Sequence, residues 1–222
     1  MIVAERKTIP ELVDILRPHK NILVLGCGTC VTVCLSGGER EVSIISSALR
    51  IASRVQGLDF KIGELTIERQ CDNIFIEQAA EAVQRADAVL STACGAGVQA
   101  IAERFPEKPV YAGLNTTFLG ILEERGVWTE KCAACGTCVL HKYGGICPIT
   151  RCAKRMMNGP CGGSREDRCE VRPDRPCAWQ LIYKRLKDIK QLERLTEIEP
   201  PRNWNSSLSG GPRALTREDH KV

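Results

Sequence analysis

Thirteen cysteines in 222 residues constrain this chain more than any other feature of its sequence. Eight of them crowd into residues 132–177, among glycines and prolines and with almost no periodic apolar pattern. The other five, Cys27, Cys30, Cys34, Cys71 and Cys94, are spread through a segment of ordinary composition. An odd number of thiols cannot pair completely within one chain, and a reducing compartment does not keep disulfides. So many free thiols are an oxidation hazard unless something holds them as thiolates. Bound metal is the usual reason.

The opening residues, Met1-Ile2-Val3-Ala4-Glu5-Arg6-Lys7, lack the apolar core and small-residue cleavage site of a secretory leader. The longest apolar runs, such as Ile22 to Leu25, are too short to span a bilayer. The expectation is a cytoplasmic protein with no membrane insertion. A net charge of +4, with no basic stretch interleaved with aromatics, argues against nucleic acid as a partner. Aromatics make up only 5%, so any core must rest on Val, Ile, Leu and Ala.

Strand and helix signals alternate through the first half of the chain. Thr8-Ile9-Pro10-Glu11 reads as a capped helix start. Asn21 to Gly26 is a continuous apolar run ending in glycine, as in a strand buried on both faces. Glu41 to Arg54 has helical spacing, Phe60 to Ile67 reads as a strand, and Ile76 to Ala86 as a helix. Asp87 to Thr92, Gly97 to Phe105 and Pro109 to Ala112 follow as strand, helix and strand. This alternation predicts an α/β domain with a Rossmann-like parallel sheet over residues 1–125. A small cysteine-rich domain over residues 126–198 should be organised by metal, because its stretch from Cys132 to Cys177 lacks the pattern of a core. A helix led by Pro176, with Trp179, Ile182, Tyr183, Leu186 and Ile189 on one face, closes it. Residues 199–222 read as an extended tail, whose Trp204 suggests docking onto a partner.

Cys27 and Cys30 follow the first strand directly, Cys71 lies just past the second, and Cys94 just past the third. In a parallel sheet the carboxyl ends of the strands share one edge, where open α/β folds bind ligands. These four are therefore expected to converge as ligands of a [4Fe–4S] cluster. Gly28 and Gly95 would let backbone N–H groups approach the sulfurs. Cys34 is a fifth candidate, either replacing Cys71 or packing as a small apolar residue. A dinucleotide fingerprint fails, since its third glycine would fall at Val31.

Cys132-Ala133-Ala134-Cys135-Gly136-Thr137-Cys138, with Cys147-Pro148 after it, approximates the bacterial ferredoxin run. Cys152, Cys161, Cys169 and Cys177 complete the set, with Gly162 beside Cys161 as a source of backbone donors. These eight thiolates suffice for two [4Fe–4S] clusters, or for one cluster and one zinc. His141, between Cys138 and Cys147, reads as a solvated loop histidine first and a metal ligand second. No Ser/His/Asp arrangement, P-loop or paired-carboxylate motif supports catalysis by the chain's own side chains.

Several blocks resemble a known family. They are Gly26-Cys27-Gly28-Thr29-Cys30, Arg69-Gln70-Cys71-Asp72, Ala93-Cys94-Gly95-Ala96-Gly97, Gly159-Pro160-Cys161-Gly162-Gly163 and Cys177-Ala178-Trp179. Together they are similar to the small, cysteine-rich MetV-type subunits of two-subunit methylenetetrahydrofolate reductases. The resemblance runs over about residues 20–190. It implies an electron-transfer subunit, not itself catalytic, carrying two or three [4Fe–4S] clusters or clusters together with one zinc. Its partner would be a TIM-barrel flavoprotein of the MetF type that binds FMN or FAD and reduces 5,10-methylenetetrahydrofolate. A further electron-donor module could feed the complex. The alternatives are a zinc-stabilised scaffold and a stand-alone redox enzyme.

Overall fold

The computed structural model describes residues 1–220. The chain forms two compact units, Met1–Thr129 and the residues from Glu130 onward. The first unit opens with β1 (Ile2–Arg6), α1 (Ile9–Leu16), β2 (Asn21–Cys27), α2 (Cys30–Val33) and α3 (Glu39–Val55). Then come β3 (Lys61–Ile67), α4 (Asn73–Ile76), α5 (Ala80–Arg85), β4 (Ala88–Ser91), α6 (Gly95–Arg104) and β5 (Val110–Ala112). It ends in β6 (Leu114–Glu124) and β7 (Val127–Cys132), the last of which runs past the unit boundary.

Four strands make a parallel sheet in the order β3-β2-β4-β5, with Leu25 opposite Leu65 on one side and Ser91 on the other. Alternate residues of the sheet enter different cores. Leu23, Leu25 and Val89 pack with Ile76, Val83 and Ile101 from the α4–α5 and α6 segments. Ile22, Val24 and Leu90 pack with Leu12, Leu16, Val42, Ile45 and Leu49 from α1 and α3. The sheet is covered on both faces, which is why β2 reads as an unbroken apolar run. At α1 the Thr8 side chain accepts from Glu11 N at 3.4 Å, while the Glu11 carboxylate turns to Lys7. Half of the expected capping box is therefore present.

Two expectations for the first unit need correction. The helix anticipated over Ile76 to Ala86 is α4, a 3₁₀ turn at Glu77–Ala79, then α5, and it begins at the Asp72 cap, which accepts from Ile74 N at 3.1 Å. The second correction is larger, because β1, β6 and β7 form an additional three-stranded sheet. β1 runs antiparallel to β6, with Ile2 opposite Leu119 and Arg6 opposite Leu114. Pairing between segments so distant in sequence leaves no local periodic signature in either.

The second unit has α7 (Pro148–Arg151), α8 (Ala178–Asp188) and short 3₁₀ turns, three of them at Trp204–Ser206, Leu208–Gly210 and Glu218–His220. Residues 132–177 are expected to build no core of their own, yet Val139, Tyr143, Ile149 and Cys177 from them join the apolar face of α8 in a small one. Val139, Tyr143, Ile149, Cys177, Trp179, Ile182 and Leu186 are buried together. Trp179 stands edge-on to Tyr143 at 5.6 Å and donates to Met156 O at 3.1 Å. Burial, with help from the Glu199 carboxylate, pushes the Tyr143 phenol up to about 12. Of the face expected on α8, Tyr183 remains half exposed. Pro176 precedes the helix, and Cys177 is its N-cap. The tail through residue 213 also departs from an extended form, residues 221–222 lying outside the described residues. It turns back onto residues 134–158 of its own unit.

Candidate metal centres

At the carboxyl edge of the parallel sheet, Cys27 is the last residue of β2 and Cys30 the first of α2. Cys71 follows β3, and Cys94 is the N-cap of α6, just after β4. Burial and then negative charge on Cys94, Cys27 and Cys30 push the Cys71 thiol above its ordinary value. The structure therefore brings these four together from three strand ends. Cys27 and Cys94 are buried, Cys30 is half buried, and Cys71 faces solvent.

The loops carrying them are fixed by backbone-directed hydrogen bonds. Gln70 is fully buried, donates to Leu25 O at 2.8 Å and accepts from Ser91 Oγ at 2.6 Å. It ties the residue before Cys71 to the ends of β2 and β4. Thr92 Oγ1 is shared between Gly37 O at 2.9 Å and Leu25 O at 3.2 Å, and Thr32 Oγ1 donates to Cys27 O at 2.8 Å. Gly97 permits the close approach of α6, because a Cβ there would lie 2.9 Å from Gln70 Cβ and 2.7 Å from Ala93 Cβ. Sequence reading missed Gln70 and Thr92 as framework residues. The only signal available was a polar side chain directly beside a candidate ligand at a strand end.

Gly28 N donates to Ile67 O at 2.9 Å and Gly95 N to Thr116 Oγ1 at 2.8 Å, so both N–H groups hold the scaffold. Cys34 is buried with its sulfur 3.0 Å from Ser36 Oγ, 3.7 Å from Val31 O and 3.8 Å from Ala4 O. Its partners lie within the protein, whereas Cys71 is the thiol pushed up by the charges of Cys94, Cys27 and Cys30.

In the second unit Cys152, Cys161, Cys169 and Cys177 line one cavity of about 20 Å³, with Lys154, Glu170 and Trp179. Cys161 Sγ donates to Glu170 Oε1 at 3.4 Å. Lys154, first, and then this thiol hold the Glu170 carboxyl below its usual range. Gly162 sits at φ +80 with open space around it, a conformation that favours glycine. Cys132, Cys135 and Cys138 occupy an irregular loop in which Ala134 has φ +49 and Gly136 φ +86. Ala134 N donates to Cys132 Sγ at 3.3 Å, and Cys147 Sγ lies 3.6 Å from Thr150 Oγ1. Cys132 and Cys138 face solvent, as does His141. Among the described residues, no three His, Cys, Asp or Glu side chains stand close enough to enclose a single metal ion. The thiol-rich donor sets nevertheless suit iron–sulfur clusters or zinc better than hard cations.

Residues 111–205 match the family model described as "Methylene-tetrahydrofolate reductase C terminal". The segment is similar to that domain and relates the chain to methylenetetrahydrofolate reductase, an oxidoreductase. Searches of the curated proteins and of the solved structures found no match. Among the described residues no helix is long and apolar enough to cross a membrane.

Proposed function

We propose that this chain is the iron–sulfur electron-transfer subunit of a MetF–MetV type methylenetetrahydrofolate reductase. It would pass electrons to a flavin held by a separate TIM-barrel subunit, which reduces 5,10-methylenetetrahydrofolate to 5-methyltetrahydrofolate. The observation that carries this reading is the placing of Cys27, Cys30, Cys71 and Cys94 at the carboxyl ends of three neighbouring parallel strands. Four thiols from three strand ends make a ligand set for a cluster, and the family match supplies the reaction. A cluster bound there would take up and release single electrons. The chain's part is to hold the ligands rigidly, through Gln70, Thr92 and Thr32, and to leave the Cys71 side open to a partner.

The Cys152, Cys161, Cys169 and Cys177 cavity favours a second reading for that group alone. Its four thiols are the ligand complement of one structural zinc. Zinc there would stabilise the fold without redox chemistry.

Anaerobic purification of the chain, followed by iron, zinc and acid-labile sulfide analysis, tests both statements. The expected result is iron and sulfide in equal amounts with about one zinc. Zinc without sulfide would leave only a scaffold. Reoxidation of the reduced chain by a MetF-type flavoprotein then checks the electron-transfer role.

A further inference from the structure

The tail places a cation on one of the thiols. Arg202 Nη2 lies 3.2 Å from Cys135 Sγ and also donates to Thr137 O. The guanidinium sits 5.3 Å from the centre of the Trp204 ring. Four residues on, Ser206 Oγ donates to Cys135 O at 3.0 Å and is itself 3.0 Å from Thr137 Oγ1. Arg213 Nη1 donates to Ala134 O at 2.7 Å and to Ser206 O at 3.1 Å. The carbonyls of Ala134, Cys135 and Thr137 are thus all capped from the tail. A loop with left-handed residues at 134 and 136 has no helix or sheet to accept from its own backbone. Gly136 is required twice, for its φ of +86 and because a Cβ would sit 2.0 Å from Ser206 O. The start of the tail is pinned as well. Glu199 N donates to Asn158 Oδ1 at 2.6 Å, Asn158 Nδ2 donates to Glu199 O at 2.9 Å, and the Glu199 carboxylate pairs with Lys142.

We infer that residues 199–213 are a strap across the Cys132–Cys138 loop, and that Arg202 is a positioning residue for the metal centre ligated through Cys135. The inference rests on the proposed metal-binding role of these cysteines. A metal-bound thiolate keeps lone-pair density and accepts N–H donors, and such outer partners hold the ligand and tune the centre. Arg202 brings a permanent positive charge with its donors, so it offsets the negative charge that thiolate ligation concentrates on the loop. Its loss would loosen the centre. Where the centre is a cluster, its loss would also make the reduced, more negative state harder to reach.

The test uses the full chain, loaded anaerobically, as wild type, R202Q, R202K and C135S. Metal and sulfide content, the rate of metal loss to a chelator, and the midpoint potential of each centre are measured for all four. C135S should lose one centre's complement. R202Q should keep full content but release that centre's metal about tenfold faster, the usual size of an outer-partner effect. Its potential should move lower, and R202K should recover most of both changes. R202Q with wild-type release and potential, beside a C135S that loses metal, overturns the strap and leaves the ligand assignment standing. A C135S that keeps every metal overturns the ligand assignment and the inference with it. R202Q that loses all metal while R202K also fails to restore it would make Arg202 a folding residue and overturn its charge role.

Discussion

The two units solve the same problem, holding thiols in place, by opposite means. In the first, a sheet with a core on each face fixes the strand ends, and Cys27, Cys30, Cys71 and Cys94 ride on them. Their placement at one edge is a consequence of parallel topology, so metal, on the proposed reading, would add to a frame that the backbone has already built. In the second, one small core around Trp179 supports long irregular loops. The thiols there are held by side-chain hydrogen bonds and the tail strap. Preorganisation comes from the fold in one unit and, on the proposed reading, would come from bound metal in the other.

The sharpest way to break this comparison is to take the metal away. Structural metal sites contribute about 10 kcal/mol or more where little else orders the chain. Chelation under anaerobic conditions should therefore abolish amide-exchange protection across residues 132–177, while β2, β3 and β4 keep theirs. Equal loss in both units would erase the distinction. The next largest effect is expected from Trp179→Ala. The side chain is only 4% exposed and bridges α8 to Tyr143 and Met156. Truncation should cost about 3–5 kcal/mol, enough to melt a core of this size. Exchange measured residue by residue should show the loss confined to residues from 130 onward. If β2 opens as well, the units are not independent.

Much of the first unit was legible because its signals are local. β2 is apolar throughout, α3 has helical spacing, and each strand end carries its cysteine, so the parallel sheet and the placing of four thiols follow from period and topology. What stayed hidden depends on distant partners. β1 and β6 are individually unremarkable and find each other only in the folded chain. Gln70 reads as an ordinary loop residue until Leu25 O and Ser91 Oγ close around it. The core of the second unit was missed because Val139, Tyr143 and Ile149 follow no period, being gathered from loops by the apolar face of α8. Arg202 gives no sequence signal, since its partner lies in a loop 67 residues earlier.

Gln70→Ala sharpens the comparison from the side of the sheet. It leaves Leu25 O and Ser91 Oγ without their buried partner, at a cost of about 1–3 kcal/mol. The α/β unit should remain folded, with a melting transition lowered by several degrees. The first centre should lose metal about tenfold faster, in line with loss of a ligand-orienting contact, while the second unit keeps its full complement. Unchanged metal retention at the first centre would mean that the Cys71 loop needs no such tie.

Cys34→Ala is the gentlest probe and decides between two roles for one sulfur. Cys34 is 6% exposed and packs with Val3, Val31 and Leu114, its sulfur against Ser36 Oγ and two carbonyls. A thiol used in this way behaves as a small apolar side chain with a weak polar contact. Removing it is comparable to deleting one buried methyl group, a loss of about 1 kcal/mol. Iron, zinc and sulfide per chain should be unchanged, because Cys71 already stands with Cys27, Cys30 and Cys94. A variant that loses one centre's iron while melting like wild type would reverse the assignment and make Cys34 the fourth ligand. Its partner experiment, Cys71→Ala, must then come out silent, since four thiolates suffice for one [4Fe–4S] cluster.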